Sequence, residues 1–301
     1  MKSELSDWWK SKYNLFEMTE KDVENLINNG VDIVLVPVGS TEQHGPYCIL
    51  GTDSLAAWIT TKLASEKTGV PHTPLVWTGY SPHHLIPKTG TITLREETFR
   101  NLLYDIGRSL IHHGFNKIIY VTGHSSNIKV IDPVLRSLRY DTGALAFLFR
   151  ADAEVLPRIP EIAKLLERPL DENPGWHAGE IETSLNLLYS PDYVGNKLKE
   201  TISSKPWTKN EVHAPLWLPQ DKFTKKNGSA YIIFKGYDEL IMAPMEHREY
   251  SDRGIVGNPQ GASAEKAQKI YQILADILSD FINELKKIKV EVKHREFDIR
   301  V

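Results

Sequence analysis

Apolar residues fall along this chain in two rhythms, short unbroken runs and longer stretches spaced three and four apart. The runs DIVLVPV (32–38) and KIIYVTG (117–123) are rich in β-branched residues and end at glycine. They predict strands buried on both faces. GALAFLFR (143–150) reads the same way, and HTPLVW (72–77) predicts a shorter extended piece. The spaced stretches predict helices. TEKDVENLINN (19–29) has Thr19 as N-cap and Val23, Leu26 and Ile27 at helical spacing. DSLAAWITTKLASE (53–66) puts Leu55, Trp58, Ile59 and Leu63 on one face, and EETFRNLLYDIGRSLIHHG (96–114) is stopped by Gly114. NIKVIDPVLRSLRYD (127–141) is a helix with Pro133 near its start, where a first turn accepts proline. EIETSLNLLYS (180–190) follows a glycine-containing turn, and a long helix closes the chain over 262–288. Residues 201–238 are mixed, with a short strand at AYIIF (230–234). Strands alternating with helices imply an α/β fold with parallel pairing and helices on both faces. No repeat, low-complexity tract or Gly/Ser linker divides the chain, so 1–301 reads as a single domain.

Bulk composition narrows the function classes. The chain has 301 residues, 41% hydrophobic and 25% charged, which is ordinary for a soluble globular protein. A net charge of -3 and a pI near 6.4 exclude the basic excess of a general nucleic-acid binder. No apolar run is long enough to span a bilayer, and the N-terminus lacks the apolar stretch of a secretory signal. Cys48 is the single cysteine and can form no internal disulfide, which fits a reducing cytoplasm. The expectation is a cytoplasmic protein without nucleic-acid or membrane partners.

Three polar clusters stand where buried runs end or helices begin, and in open α/β sheets sites assemble at the carboxyl ends of strands. Glu42-Gln43-His44 with Asp53 follows the strand at 32–38; His124 follows the strand at 117–121; His177, Glu180 and Glu182 lie in WHAGEIETS, at a turn entering a helix. Carboxylates mixed with imidazoles suit Zn²⁺, Mn²⁺ or Fe²⁺ rather than Ca²⁺. An aspartate flanked on each side by a histidine and a carboxylate is a common make-up of a two-metal hydrolytic site. Each cluster also has a plain structural reading: a solvated turn at Glu42, an N-cap at Asp53, a hydrogen-bonded turn at His124, an acidic helix start at Glu180 and Glu182.

VPVGSTEQHGPYCILGTD resembles the signature of the creatininase family, and SPHHLIPKTGTITL, VTGHSSN, HAGEIETS and RGIVGNPQGASAEKAQKIY continue the match in family order from about residue 33 to 275. The resemblance implies a three-layer α/β/α sandwich with a mostly parallel sheet, two divalent metal ions (Zn, Mn or Fe), and hydrolysis of a C–N bond in a small cyclic or related amide by a hydroxide shared between the ions. It places Glu42, His44, Asp53 and His124 on metal-ligand positions, with Asp53 as the bridge. The family's usual glutamate two residues after His124 is Ser126 here, so the fifth ligand is expected from Glu182, with Glu180 as second choice, and creatinine itself becomes a doubtful substrate. His177 matches the family histidine that transfers protons, and Glu182 joins it as a candidate catalytic residue. His84, Trp176 and Ser126 are the substrate-contact candidates. The resemblance also implies a homo-oligomer, with hexamers among family members.

Other features add little. His83 beside His84 reads equally as a polar loop pair, His112 and His113 as a helix end, and Trp8, Trp9, Trp207 and Trp217 carry no role. GNPQGAS (257–263) lacks a phosphate-loop lysine and reads as a loop capping the last helix, and no GxGxxG follows a strand. Two alternatives stay open: a formamide or peptide-amide hydrolase of the same family, and a non-catalytic metal or small-molecule binder on this scaffold.

Overall fold

The computed structural model describes residues 8–166, 175–204, 223–226, 229–244, 246–249, 251 and 253–298; Trp207 and Trp217 lie outside them. The strands β1 (Ile33–Val38), β2 (Lys117–Thr122) and β3 (Leu145–Arg150) form a parallel sheet in that order, with Leu35 opposite Ile119 and Ile119 opposite Phe147. The extended piece expected at 72–77 runs along the other edge of β1. Leu35 N–H donates to Pro71 O at 3.0 Å, Thr73 N–H to Leu35 O at 2.9 Å and Val76 N–H to Pro37 O at 3.0 Å.

Eight α-helices are described: α1 (Glu20–Asn28), α2 (Thr52–Thr68), α3 (Glu96–His113), α4 (Ile128–Thr142), α5 (Pro160–Ala163), α6 (Glu180–Tyr189), α7 (Pro191–Ser204) and α8 (Ala264–Leu285). Alternate strand residues face opposite sides of a sheet, and here both sides are covered. Ile33, Leu35, Ile119 and Val121 pack with Leu55 and Ala64 of α2, Ile181 and Leu185 of α6, and Ile270, Leu274 and Leu278 of α8. Val34, Val36, Val38, Ile118 and Tyr120 pack with Phe99 and Leu103 of α3 and Val130, Val134 and Leu138 of α4. The result is the expected three-layer sandwich. No helix among the described residues is long and apolar enough to cross a membrane.

From β1 the chain winds through α2 to residues 71–76 on one side, then through α3 to β2 on the other. Winding reverses at β1, and that reversal leaves a crevice at its carboxyl end. Two smaller antiparallel sheets complete the fold. In one, β4 (Gly175–His177) pairs with β8 (Val256–Gly257). The other is a meander of β5 (Phe223–Lys226), β6 (Ser229–Phe234) and β7 (Tyr237–Ala243). The β6–β7 turn holds Lys235 and Gly236 at φ 52 and 81, the pair of positive angles a type I′ hairpin needs.

Two local expectations are corrected. Helix α4 begins at Ile128, so Pro133 lies in its interior rather than its first turn. Pro133 and Lys129 both face solvent, where water can take up the Lys129 carbonyl that proline cannot serve. The N-cap of α2 is Gly51, without a side-chain cap, and Asp53 is the second helical residue, so its carboxylate is not engaged in capping.

Candidate metal centre

Local backbone constraints bring the polar clusters together. Gly39 and Gly123 follow β1 and β2 directly, and both press on the first turn of α2. A Cβ at Gly123 would lie 2.1 Å from the Asp53 carbonyl oxygen, and one at Gly39 2.2 Å from Ser54 Oγ. Side-chain-free strand ends therefore let Asp53 sit between the loop after β1 and the loop after β2, in a helix turn that favours an acid. The third cluster arrives through strain. Ala178 adopts φ 53, a left-handed conformation uncommon for a residue with a Cβ. Its N–H donates to Glu182 Oε2 at 2.5 Å, and its carbonyl accepts from Tyr47 Oη–H at 2.6 Å.

The two Asp53 oxygens face opposite ways. Oδ1 lies 3.3 Å from His44 Nε2, and Oδ2 lies 3.2 Å from His124 Nδ1. Glu182 Oε2 approaches His44 Nε2 at 3.6 Å, and Glu42 Oε2 approaches His124 Nδ1 at 3.3 Å. Two buried triads result, His44–Asp53–Glu182 and Glu42–Asp53–His124, each with its donor atoms within 4.8 Å of one another and both sharing Asp53.

The far edge of each imidazole is tied to the main chain. His44 Nδ1–H donates to Glu42 O at 3.1 Å and His124 Nε2–H to Tyr80 O at 3.1 Å. Such a bond fixes the neutral tautomer and turns the other nitrogen's lone pair inward. Ser81 and Ser40 hydroxyls donate to Glu42 Oε2 at 2.6 and 3.0 Å. His44 Nε2 and Asp53 Oδ2 are buried yet make no well-formed hydrogen bond to described residues. Buried polar atoms rarely stay unsatisfied, and a divalent cation bound by these N and O donors would satisfy both. The residues fit the ions.

Electrostatics agree. Burial alone would lower the pKa of both imidazoles, but the neighbouring carboxylates win: Asp53 and Glu182 raise His44 well above its ordinary value, and Glu42 and Asp53 raise His124 to about 9. Burial, with Asp53 adding to it, pushes Glu42 up to about 7, whereas His44 and His124 outweigh burial at Asp53 and hold it below its ordinary range. Packed carboxylates thus demand positive charge, and without metal it is supplied by protons on histidine.

Comparison with known proteins decides the family. The sequence matches Creatininase, described as creatinine amidohydrolase, over residues 16–282. The chain belongs to the creatininase family. It is 27% identical over 278 residues to 3-dehydro-scyllo-inosose hydrolase of Thermotoga maritima, covering 89% of this chain and 82% of that one. It is 31% identical over 264 residues to the mycofactocin precursor peptide peptidase of Mycolicibacterium smegmatis, covering 85% and 86%. Among solved structures, a Zn-Zn form of a creatininase variant aligns with TM-score 0.67 at 26% identity, and a Mn creatininase with TM-score 0.66 at 26% identity. Each covers 93% of this chain and 100% of the other. The triads described above are thus those of a creatininase-family hydrolase able to bind divalent metal ions.

Within this creatininase-family centre, every metal-ligand, catalytic and substrate-contact candidate named from the sequence lies on or beside the cavity except Glu180. Glu42, Asp53, His84, His124, Ser126, Trp176, His177 and Glu182 line it, and His44 is buried beneath. Glu180 points away and pairs with Lys266 of α8. Of the two acids two residues apart, Glu182 is the one in a triad. Ser126 stands at the cavity wall with its Oγ 3.5 Å from His83 Nε2. His177 lies at the end of β4 rather than in a turn, its Nε2–H donating to Gln43 O at 2.7 Å.

Three features escaped the sequence reading. His247, from the segment after β7, is fully buried beside His84 and His177; it comes from a stretch with no hydrophobic rhythm to flag it. Ser81 and Ser40 are hydroxyls of a common type with no signature. Asp152 and Glu154 line the cavity just beyond β3, Asp152 gripped by Arg150 through two bonds of 2.8 and 2.7 Å. The strand-end rule applied to this third strand would have found them.

Proposed function

We propose that this chain is a two-metal hydrolase that cleaves a C–N bond in a small polar amide, with Glu42, His44, Asp53, His124 and Glu182 holding the ions. The observation that carries the reading is the Asp53 carboxylate, each oxygen of which faces its own histidine. Divalent ions bound there would acidify water and polarise a carbonyl oxygen. The chain's own residues supply the rest. His177 donates from Nε2 to the Gln43 carbonyl, so its Nδ1 keeps a lone pair, 3.7 Å from Glu42 Oε1. Burial, followed by the neighbouring His44 and His247, holds its pKa well below the ordinary value, so in the metal-free protein the ring is neutral and Nδ1 carries no hydrogen. Nδ1 is the atom that takes a proton during attack and returns one to the leaving nitrogen.

The cavity walls support a substrate class. Ser125, Ser126, His83, Asp152 and Glu154 are polar, Trp176 is the one large aromatic among the described lining residues, and the space beside them admits about one water. Such a site supports a small polar group at the reacting centre. The relative named as a precursor-peptide peptidase supports a second reading, hydrolysis of a peptide.

Metal analysis of purified protein, paired with a hydrolysis panel of cyclic amides, formamides and short peptides, tests the reading. Two ions per chain and chelator-sensitive turnover of at least one amide are expected. One ion and no turnover would instead support a non-catalytic binder.

A further inference from the structure

Gln43 lies between two ligand positions in the chain, yet its side chain turns away from the triads into a nest of three imidazoles. Its Nε2 is 3.1 Å from His84 Nδ1, 3.0 Å from His247 Nδ1 and 3.2 Å from His177 Nε2. The carboxamide cannot be reversed. Its Oε1 accepts from Gly45 N–H at 3.1 Å, and it abuts Gly254, where a Cβ would lie 2.1 Å from that oxygen. The NH₂ group therefore faces the rings.

The ring hydrogens follow by elimination. His177 Nε2 already donates to Gln43 O, so it accepts nothing from the carboxamide. The Nδ1 atoms of His84 and His247 are 2.7 Å apart, which requires one hydrogen between them. His84 Nε2 faces Glu42 Oε1 at 3.4 Å, nearer than the bare His177 Nδ1 at 3.7 Å, and a carboxylate oxygen that ligates a metal carries no hydrogen, so His84 Nε2 is the ring atom that suits it as a donor. His84 then carries its hydrogen on Nε2 and accepts at Nδ1, from His247 Nδ1–H and Gln43 Nε2–H together.

We propose that Gln43 is a positioning residue for the metal centre: through His84, with His247 alongside, it keeps an N–H turned on Glu42 Oε1 and so holds that carboxylate toward the Glu42–Asp53–His124 triad. The inference rests on the functional reading only in taking Glu42 as a metal ligand. Outer partners of this kind are worth about 10–100-fold in metal affinity.

Long-range ¹H–¹⁵N spectra of metal-free protein labelled in histidine, recorded above neutral pH, read each ring's tautomer, and calorimetry with Mn²⁺ reads affinity. In the parent chain, Nε2–H is expected for His84 and His177, and Nδ1–H for His247. Gln43→Glu keeps the shape but replaces the donor by an acceptor. It should move hydrogen on His84 to Nδ1 and weaken Mn²⁺ binding about 10–100-fold, leaving His177 unchanged because the main chain fixes it. Gln43→Leu removes the donor without supplying an acceptor and should also weaken Mn²⁺ binding, and thermal unfolding of both variants identifies one that fails to fold, leaving the other to decide. Unchanged Mn²⁺ affinity in a folded variant, or hydrogen on His84 Nδ1 in the parent, overturns the proposal. A parent chain that binds no Mn²⁺ would sink the hydrolase reading instead, and the His84 tautomer would then decide this one.

Discussion

A carboxylate that serves two ions must present its oxygens in different directions, and Asp53 does so because nothing else claims them. It sits past the N-cap of α2, and Oδ2 is buried without a well-formed hydrogen bond. Asp53→Asn keeps the volume but replaces one oxygen by an NH₂ that cannot ligate. The expected outcome is loss of both ions in metal analysis and loss of turnover, with a lower Tm for the metal-free protein because His44 and His124 lose a buried anionic partner. Retention of a full metal complement would contradict the bridging role. The pair Glu180 and Glu182 gives a sharper contrast. Residues two apart on a helix point about 200° from each other, so both cannot reach one site; that much is legible in HAGEIETS. Which one turns inward depends on how α6 packs against α8, and the spacing carries no information on that. Glu182→Gln should lose the ion at the His44 triad. Glu180→Gln should keep both ions yet destabilise the fold by on the order of 3 kcal/mol, because Lys266 exchanges a buried carboxylate for a neutral amide while keeping its bond to Gly261 O. Denaturant unfolding and metal analysis on the two variants separate these effects.

At the scale of elements, the site exists because two parallel strands stop at glycines and a helix begins against them. Gly123→Ala would set a methyl 2.1 Å from the Asp53 carbonyl oxygen, which the backbone can relieve only by moving the first turn of α2. The expected cost is about 1–3 kcal/mol for overpacking, with weaker metal binding on top; an alanine variant with parental Tm and metal affinity would show that the contact is slack. Most of the framework was readable from rhythm alone. β1, β2, α3 and α8 carry long, strong patterns, and Ser263 does cap the last helix by accepting from Lys266 N–H at 3.2 Å. The meander β5–β7 was only glimpsed, at AYIIF. Its strands leave Phe234, Tyr237, Leu240 and Met242 exposed, so no clean alternation of apolar and polar positions marks them. His247, which follows it, was lost for the same reason.

For the whole molecule, the decisive fact is that separate stretches of chain deliver Glu42, Asp53 and Glu182 with His44 and His124 into one buried volume. That arrangement is costly without cations, and the pKa directions say how it is met: in metal-free protein His124 holds its proton up to about 9, above the ordinary 6.5, and His44 is shifted the same way. A pKa raised by folding contributes stability that is complete below the ordinary value and lost as pH rises through the folded one. Metal-free protein should therefore lose Tm as pH climbs from about 6.5 to 9. Metal binding needs the same lone pairs, so it expels those protons. Apparent Mn²⁺ affinity should then rise with pH, about tenfold per unit for each proton displaced, with the share owed to His124 ending above its pKa of about 9. Below about 7 the rise should steepen, because Glu42 must be deprotonated as well. Calorimetric titrations in buffers of different ionisation enthalpy count the protons released, and the Tm of metal-loaded protein should hold where that of the metal-free protein falls. An affinity independent of pH between 6 and 9 would mean that the histidines are already neutral, and that protons do not balance the buried carboxylates.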